Sequence, residues 1–456
     1  MLSPRLDITR LDRNVKLDPG LRRDDELTFR MCPMHRLIVP IASPEATDAD
    51  RFGPKAANLA RLGRAGLPIP DGFCVDAEAY RVQVAALRLT EIARGVNAAD
   101  PGTARRAALA MKLGLLDQPI VPPVRDPLLA ARRTLVETTG ALMVVRSSAL
   151  VEDRFGSSFA GQFESYLGLE NETDFITAVR SCWAALWSTR VLRYMATHDA
   201  SPADTAMAVL VQPLVAARVA GGGLSRTSDG DMVLNATWGL GSAIAQGEVV
   251  PERIVLSREG VLRDTVAGRI FHRVGCAHDA PATRRPRSSE PCLNAAQAVE
   301  LGRLLRQVED VMGAPVEIEW AHDETGFKLL QARPLHTEPA RVPDEIWLRH
   351  PGLSGHPAGV GWGSGRACVV NCECELARVA PGDVLVTRVA GPALSQVLSR
   401  VGGVVAELGG STSHLASLAR ERGIPMVLGV LDATQRIPDG AQVAVDGVAG
   451  VVRWMR

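Results

Sequence analysis

The stretch Gly409-Gly410-Ser411-Thr412-Ser413-His414 sets a histidine where a glycine turn runs into a helical pattern, LASLARERGIP. Backbone N–H groups and the positive end of a helix at that point favour an anion beside the ring. The same field disfavours imidazolium, which keeps the ring neutral and nucleophilic near pH 7. Such a histidine suits the carriage of a phosphoryl group. A ring that merely caps or packs the first turn fits this stretch, taken alone, equally well.

Four upstream segments carry side chains that suit a nucleoside triphosphate. Gly53-Pro54-Lys55 places a lysine at the opening of a helix, where its ammonium and the helix-end N–H groups can meet phosphate together. A solvated surface lysine is the ordinary alternative. Val144-Val145-Arg146-Ser147-Ser148-Ala149 brings an arginine out of a buried strand, followed by Glu152-Asp153 and the small loop Ser157-Ser158-Phe159-Ala160-Gly161-Gln162. A guanidinium can clamp phosphate through two N–H groups, and a Ser/Gly loop admits close backbone approach. The competing reading pairs Arg146 with Glu152 or Asp153 for structure alone. Val209-Leu210-Val211-Gln212-Pro213-Leu214 reads as a strand whose Gln212 could line an adenine pocket, although a core strand looks similar.

The fourth segment has more geometry. Residues 315–321 alternate, 323–326 turn, and 327–333 return. Pairing across a turn centred near Thr325 sets Glu319 opposite Gln331 and Glu317 opposite Arg333, all on one face. Two oxygen-bearing side chains beside an arginine can hold Mg²⁺ and the phosphates that it bridges. A surface hairpin with a cross-strand Glu/Arg pair is the plain alternative.

The elements that must position these groups are readable in outline. Order is expected from the apolar run Leu37 to Ile41, and a helix from Pro54 ends at Gly66. Leu142 to Val145 reads as a short buried strand, Phe175 to Met195 as one amphipathic helix with Trp183 and Trp187, and Ala208 to Val215 as a further buried strand. The segment 339–365, rich in proline and glycine, reads as an interdomain linker. After it, strand signals at 382–387, 402–406, 426–429 and 441–445 surround the His414 helix. Residues 1–35 are charged and weakly periodic, with Met31 and Met34 as possible alternative starts to Met1.

Composition bounds the rest. A chain of 456 residues exceeds one ordinary core, so two or three domains are expected. Lys+Arg and Asp+Glu both total 51, which gives no net pull towards nucleic acid or anionic membrane. No apolar run reaches the length of a membrane span and no secretory h-region opens the chain. Eight scattered cysteines suit a reducing cytoplasm better than a disulfide framework. The spacing of Cys368, Cys372 and Cys374 is not a usual zinc pattern, and strand cysteines packed in an apolar setting are expected there. The basic loop with Arg284, Arg285 and Arg287 reads as a solvated surface segment, with a polyanion contact as the alternative.

Taken in order, the segments resemble a known family. GPKAANLARLGRAGLPIPDGF, VVRSSALVEDRFGSSFAGQFESYLGL, VLVQPL, WGLGSAIAQGEVVPE, VEIEWAHDETGFKLLQARPL and GGSTSHLASLARERGIPMVLG are similar to motifs of the phosphoenolpyruvate synthase / pyruvate phosphate dikinase group, which includes rifampicin phosphotransferase. The resemblance implies an α/β (α+β) protein with an ATP-grasp nucleotide domain over 36–338, a linker over 339–365 and a swivelling phosphohistidine domain over 366–456. It implies ATP contacts from Lys55, Arg146, Gly161, Ser165, Gln212 and Arg333, with Arg146 also catalytic. Glu319 and Gln331 would hold Mg²⁺ while also facing the nucleotide, and His414 would take a phosphoryl group from the β-phosphate of ATP, leaving AMP and phosphate. The acceptor is expected to be a small molecule, or a partner protein that carries the acceptor site. Three residues depart from the pattern: Ser165 for threonine, Ser242 for the glutamate after Gly-Leu-Gly, and Leu415 for alanine. The chain stops about 40 residues after His414, so the pyruvate-binding barrel of the synthases is not expected within it. Thr412 stands where some relatives carry a regulatory phosphorylation site; a threonine N-cap is the alternative.

Overall fold

The run Met143–Ala149 is buried at every position, and a strand covered on both faces belongs inside a sheet. In the computed structural model Met207–Pro213 and Ser165–Leu169 pair with it, antiparallel, on its two sides. Phe73–Val75 and Ile38–Pro40 complete this five-stranded sheet. The structure describes residues 36–97, 100–152, 159, 161–196, 198, 200–270, 290–335, 347 and 349–455, and 37–456 form one contact unit. Outside the described residues lie the 1–35 extension, Asp153, Ser157, Ser158, Ala160, the loop with Arg284, Arg285 and Arg287, and positions 339–346 and 348 of the expected linker.

A second sheet has six antiparallel strands in the order Leu262–Val266, Glu252–Leu256, Met232–Trp238, Val219–Leu224, Val316–Asp323, Gly326–Pro334. The helix Ala295–Met312 packs against it, started by an Asn294/Gln297 capping box and stopped by Gly313 in the left-handed region. Its Leu301, Leu305 and Val308 share a core with Ile318, Trp320, Phe327 and Leu329. The helix Ala49–Arg64 touches strands of both sheets and kinks at Gly53, whose φ is 73°. A Cβ there would lie 2.3 Å from the Ser148 carbonyl oxygen, so only glycine lets the helix begin against that strand.

The third sheet has eight strands and mixes directions. Trp362–Val370, Val384–Thr387, Gly403–Ala406 and Met426–Leu428 run parallel at its centre, and Gly352–Ser354, His356–Pro357, Gln442–Asp446 and Val451–Trp454 add antiparallel neighbours. The histidine helix, His414–Glu421, follows the third of the parallel strands. Mixed helices and sheets throughout make this an α/β protein of the α+β kind. Among the described residues no helix is long and apolar enough to cross a membrane.

Three expectations change. The single helix over 175–195 is two, Glu172–Ala185 and Thr189–Ala196, because the Ser188 hydroxyl accepts from Val191 N–H and starts a new helix after a turn. Within 352–365 of the expected linker, Gly352–Ser354, His356–Pro357 and the start of Trp362–Val370 are strands of the third sheet. Their glycines serve close backbone packing: a Cβ on Gly359, Gly363 or Gly365 would come within 2.2, 2.2 and 2.0 Å of carbonyl oxygens of neighbouring segments. Cys372 and Cys374 leave the strand, which ends at Val370, and pair with each other as a disulfide at the start of a 3₁₀ turn; Cys368 alone is a buried strand cysteine.

Candidate functional site

One cleft of about 440 Å³ is lined by Lys55, Arg146, Gly161, Ser165, Gln212, Glu319, Gln331, Arg333 and His414, so the residues expected to contact ATP, hold Mg²⁺ or take the phosphoryl group all open onto the same space. The first sheet contributes Arg146, Ser165 and Gln212, the hairpin of the second contributes Glu319, Gln331 and Arg333, and the third-sheet region contributes His414. Apolar Val144, Leu167, Leu214, Leu240 and Ile244 line the cleft as well. Gln212 donates to the Pro70 carbonyl at 3.0 Å, which fixes its amide beside that apolar wall.

Lys55 points its ammonium at the Ser147 carbonyl (2.8 Å) and at Glu152 (3.3 Å). Burial raises the Glu152 carboxyl above its ordinary value, against the pull of Lys55. Lys55, and not Arg146, is therefore the partner of Glu152. Arg146 sits in the middle of its strand instead of leaving it, and its guanidinium crosses to the other sheet. Nη2 donates to Glu319 Oε2 and Gln331 Oε1, each at 3.0 Å, and Nη1 donates to the Leu330 carbonyl.

That carbonyl is available because the hairpin is bulged. Glu317 pairs with Arg333 and Glu319 with Gln331, as the spacing requires, but Trp320 pairs with Leu329, which leaves Leu330 unmatched. From the tip (Asp323 opposite Gly326) a regular ladder would have put Leu330 opposite Glu319. The extra residue turns Gln331 and Arg333 to the face of Glu317 and Glu319, while Phe327 and Leu329 stay with Trp320 in the core.

His414 opens its helix, and Ser413 is the N-cap, accepting from Ala416 N–H at 3.3 Å. Thr412 is thus not the cap: its hydroxyl accepts from Asn235 Nδ2 at 3.1 Å, and it packs where a Cβ on Gly222 would be, at 2.6 Å. Gly161 lies against the histidine itself, since a Cβ there would be 3.1 Å from His414 Cβ and 3.2 Å from Nδ1. Burial, first of all, lowers the His414 imidazole from 6.5 to about 4; Glu319 opposes this, and Arg333 and Lys55 add to it. Loss of solvent is the chief cause, and it holds the ring neutral well below neutral pH. Leu415 is buried in the core, which accommodates its bulk.

The reading of the sequence missed how the two regions meet. Glu317 is 5% exposed and lies under two guanidiniums, Arg333 at 3.2 Å and Arg420 at 2.8 Å. The Ser417 hydroxyl is 3.0 and 2.9 Å from its two oxygens. Burial pushes this carboxyl up, but Arg333 and Arg420 outweigh it and hold it below its ordinary value. His414, Ser417 and Arg420 recur at helical spacing, a signal that could have marked one shared face.

Glu319 and Gln331 present two hard oxygen donors that meet at one point, Arg146 Nη2. Burial raises the Glu319 carboxyl, yet Arg146, His414, Arg333 and Lys55 together keep it low and so ionised. A carboxylate and an amide oxygen beside this cleft suit Mg²⁺, and Glu319 and Gln331 are the residues that would hold it.

Residues 49–347 match the pyruvate phosphate dikinase AMP/ATP-binding domain, and residues 379–450 match the mobile domain of PEP-utilising enzymes. Phosphoenolpyruvate synthase of Aeropyrum pernix is 32% identical over 457 residues, which cover 88% of this chain and 56% of that protein. Phosphoenolpyruvate synthase of Pyrococcus furiosus is 28% identical, covering 92% and 58%, and that of Escherichia coli is 29% identical, covering 88% and 55%. The chain spans a little over half the length of these relatives. With the nucleotide-binding match alone taking in well over half of it, the chain belongs to the phosphoenolpyruvate synthase / pyruvate phosphate dikinase family.

Proposed function

We propose that this protein is an ATP-dependent dikinase-type phosphotransferase in which His414 carries the phosphoryl group. ATP, water and the free histidine give AMP, phosphate and phosphohistidine, the transferred group coming from the β-phosphate. The observation that carries this reading is the arrangement of a neutral histidine at the end of a cleft lined by Lys55, Arg146 and Arg333. Neutral imidazole has the lone pair needed for in-line attack, and three cations offset charge on the phosphates. Gln212 and the apolar wall would hold the base, while Gly161 and Ser165 line the path towards the ring. Glu319 and Gln331 would hold Mg²⁺, which would offset phosphate charge further when bound. Arg146, which lies between those two oxygens, fixes them and can turn one N–H to phosphate.

In this reading residues up to 335 bind nucleotide, and residues from 352 form a domain that carries His414 between ATP and an acceptor. The acceptor is a small molecule; pyruvate is the first to test, given the names of the relatives. Protein incubated with ATP labelled at the β-position is expected to yield acid-labile label on His414, with AMP and phosphate in equal amounts. Bound ATP without label on His414 would refute the reading. Chasing the labelled protein with small acceptors, and separately with protein from the same cells, separates a small acceptor from a partner protein that bears the acceptor site.

A further inference from the structure

Arg420 lies on the His414–Glu421 helix, is 7% exposed, and divides its guanidinium between two tasks. Nη1 donates to the carbonyl oxygens of Ser411 (2.6 Å) and Ala358 (3.2 Å), and so grips the turn that leads into His414. Nη2 donates across the interface to Glu317 Oε2 at 2.8 Å, on the hairpin that also bears Glu319. Ser417, one turn away, reaches the same carboxylate and accepts from Arg333 and from Arg420. Glu317, Arg333, Ser417 and Arg420 are all under 10% exposed. A buried cluster of this kind is stable only while each charge keeps its partners, so its geometry is set as a unit.

Parting the two surfaces would leave Glu317 with Arg333 alone, while Arg420 would keep its two carbonyls and lose its carboxylate. Arg420 therefore senses seating with one nitrogen and shapes the histidine turn with the other. Neither Ser417 nor Glu317 lines the nucleotide cleft, and nor does Arg420. We infer that Arg420, with Ser417 and Glu317, is a positioning clamp that couples seating of the histidine helix on the nucleotide hairpin to the shape of the turn presenting His414. The inference rests on the phosphohistidine reading above and names what aligns that residue. Arg420 acts through His414 and is not itself a catalytic residue.

The test compares wild type with Arg420→Lys, which keeps a cation but loses the fork, and with Ser417→Ala, which removes no charge. ATP affinity is expected to stay within about twofold, while β-phosphoryl incorporation into His414 slows about tenfold or more in Arg420→Lys and about threefold in Ser417→Ala. Hydrogen–deuterium exchange at residues 411–418 and at Val219–Leu224 is expected to quicken in Arg420→Lys without ATP present. Wild-type rates of labelling in both variants overturn the clamp. Should the wild type take no label, the phosphohistidine reading falls and exchange decides alone: faster exchange at those two segments supports the clamp, and unchanged exchange overturns it. If Arg420→Lys does not fold, as judged by circular dichroism and ATP binding, Ser417→Ala decides by the same two readouts.

Discussion

Protonation of His414 is where the site's geometry makes its sharpest numerical claim. The ring is lowered from 6.5 to about 4, about 2.5 pH units at about 1.36 kcal/mol each, or about 3 kcal/mol favouring the neutral form. At pH 5.5 an ordinary histidine would be only about one-tenth neutral, while this one would be almost wholly neutral, about a tenfold difference in available nucleophile. The sign for stability follows from proton uptake. Below about 6.5 the unfolded chain binds a proton that the folded protein refuses, so this residue's contribution falls as pH drops and is lost by about 4. The assay is nuclear magnetic resonance of ¹³Cε1-histidine in nucleotide-free protein, with His414→Gln to identify the resonance. A midpoint near 4 is expected. Arg333→Gln removes a nearby cation and should raise the midpoint; Glu319→Gln removes an anion and should lower it. A midpoint near 6.5, or shifts of the opposite sign, would refute the claim that burial keeps His414 neutral.

Three further outcomes follow from the contacts. Gly161→Ala places a methyl group at 3.1 Å from His414 Cβ on a residue with φ of 67°, so β-phosphoryl incorporation should fall at least about tenfold, with ATP affinity, by calorimetry, changed far less. Arg146→Lys loses the fork that spans Glu319, Gln331 and the Leu330 carbonyl; the labelling rate should fall about 100-fold, and a rate near wild type would contradict the role assigned to that fork. Thr412→Val should be mild, because it keeps the shape against Gly222, whereas Thr412→Glu puts a charge into that contact and should abolish labelling of His414 while leaving ATP binding intact.

Much of the site was legible because its chemistry is periodic. Counting back from a turn near Thr325 names the right partners, Glu319 with Gln331 and Glu317 with Arg333, although it takes the bulge at Leu330 to bring them to one face. The first half of the strand at 143–149 announced itself by an apolar run, and the His414 helix by a glycine turn; Arg146 to Ala149 give no such signal because their side chains are polar or small. What stayed hidden were facts about neighbours distant in sequence. Nothing near Lys55 says that Glu152 will face it, and nothing near Arg420 names Glu317, 103 residues away. The glycines of 352–365 look like those of a flexible connector, since composition does not distinguish freedom from a backbone packed against another carbonyl. The break at 186–188 rests on one serine cap and on Trp187 bonding Tyr80, a partner no local pattern contains.

Leu330 carries a consequence of a different kind. Its carbonyl is the group that Arg146 uses, and the residue also lines the cleft. Removing that one residue would close the hairpin into a regular ladder with the same partners, Glu319 opposite Gln331 and Glu317 opposite Arg333. What the site would lose is the carbonyl that Arg146 Nη1 reaches, together with the local bend that a bulge gives its strand. At this position the extra residue serves as a backbone acceptor for Arg146, left free because it has no partner in the ladder. A deletion there is therefore expected to keep the register of the hairpin and to cost the site one guanidinium contact.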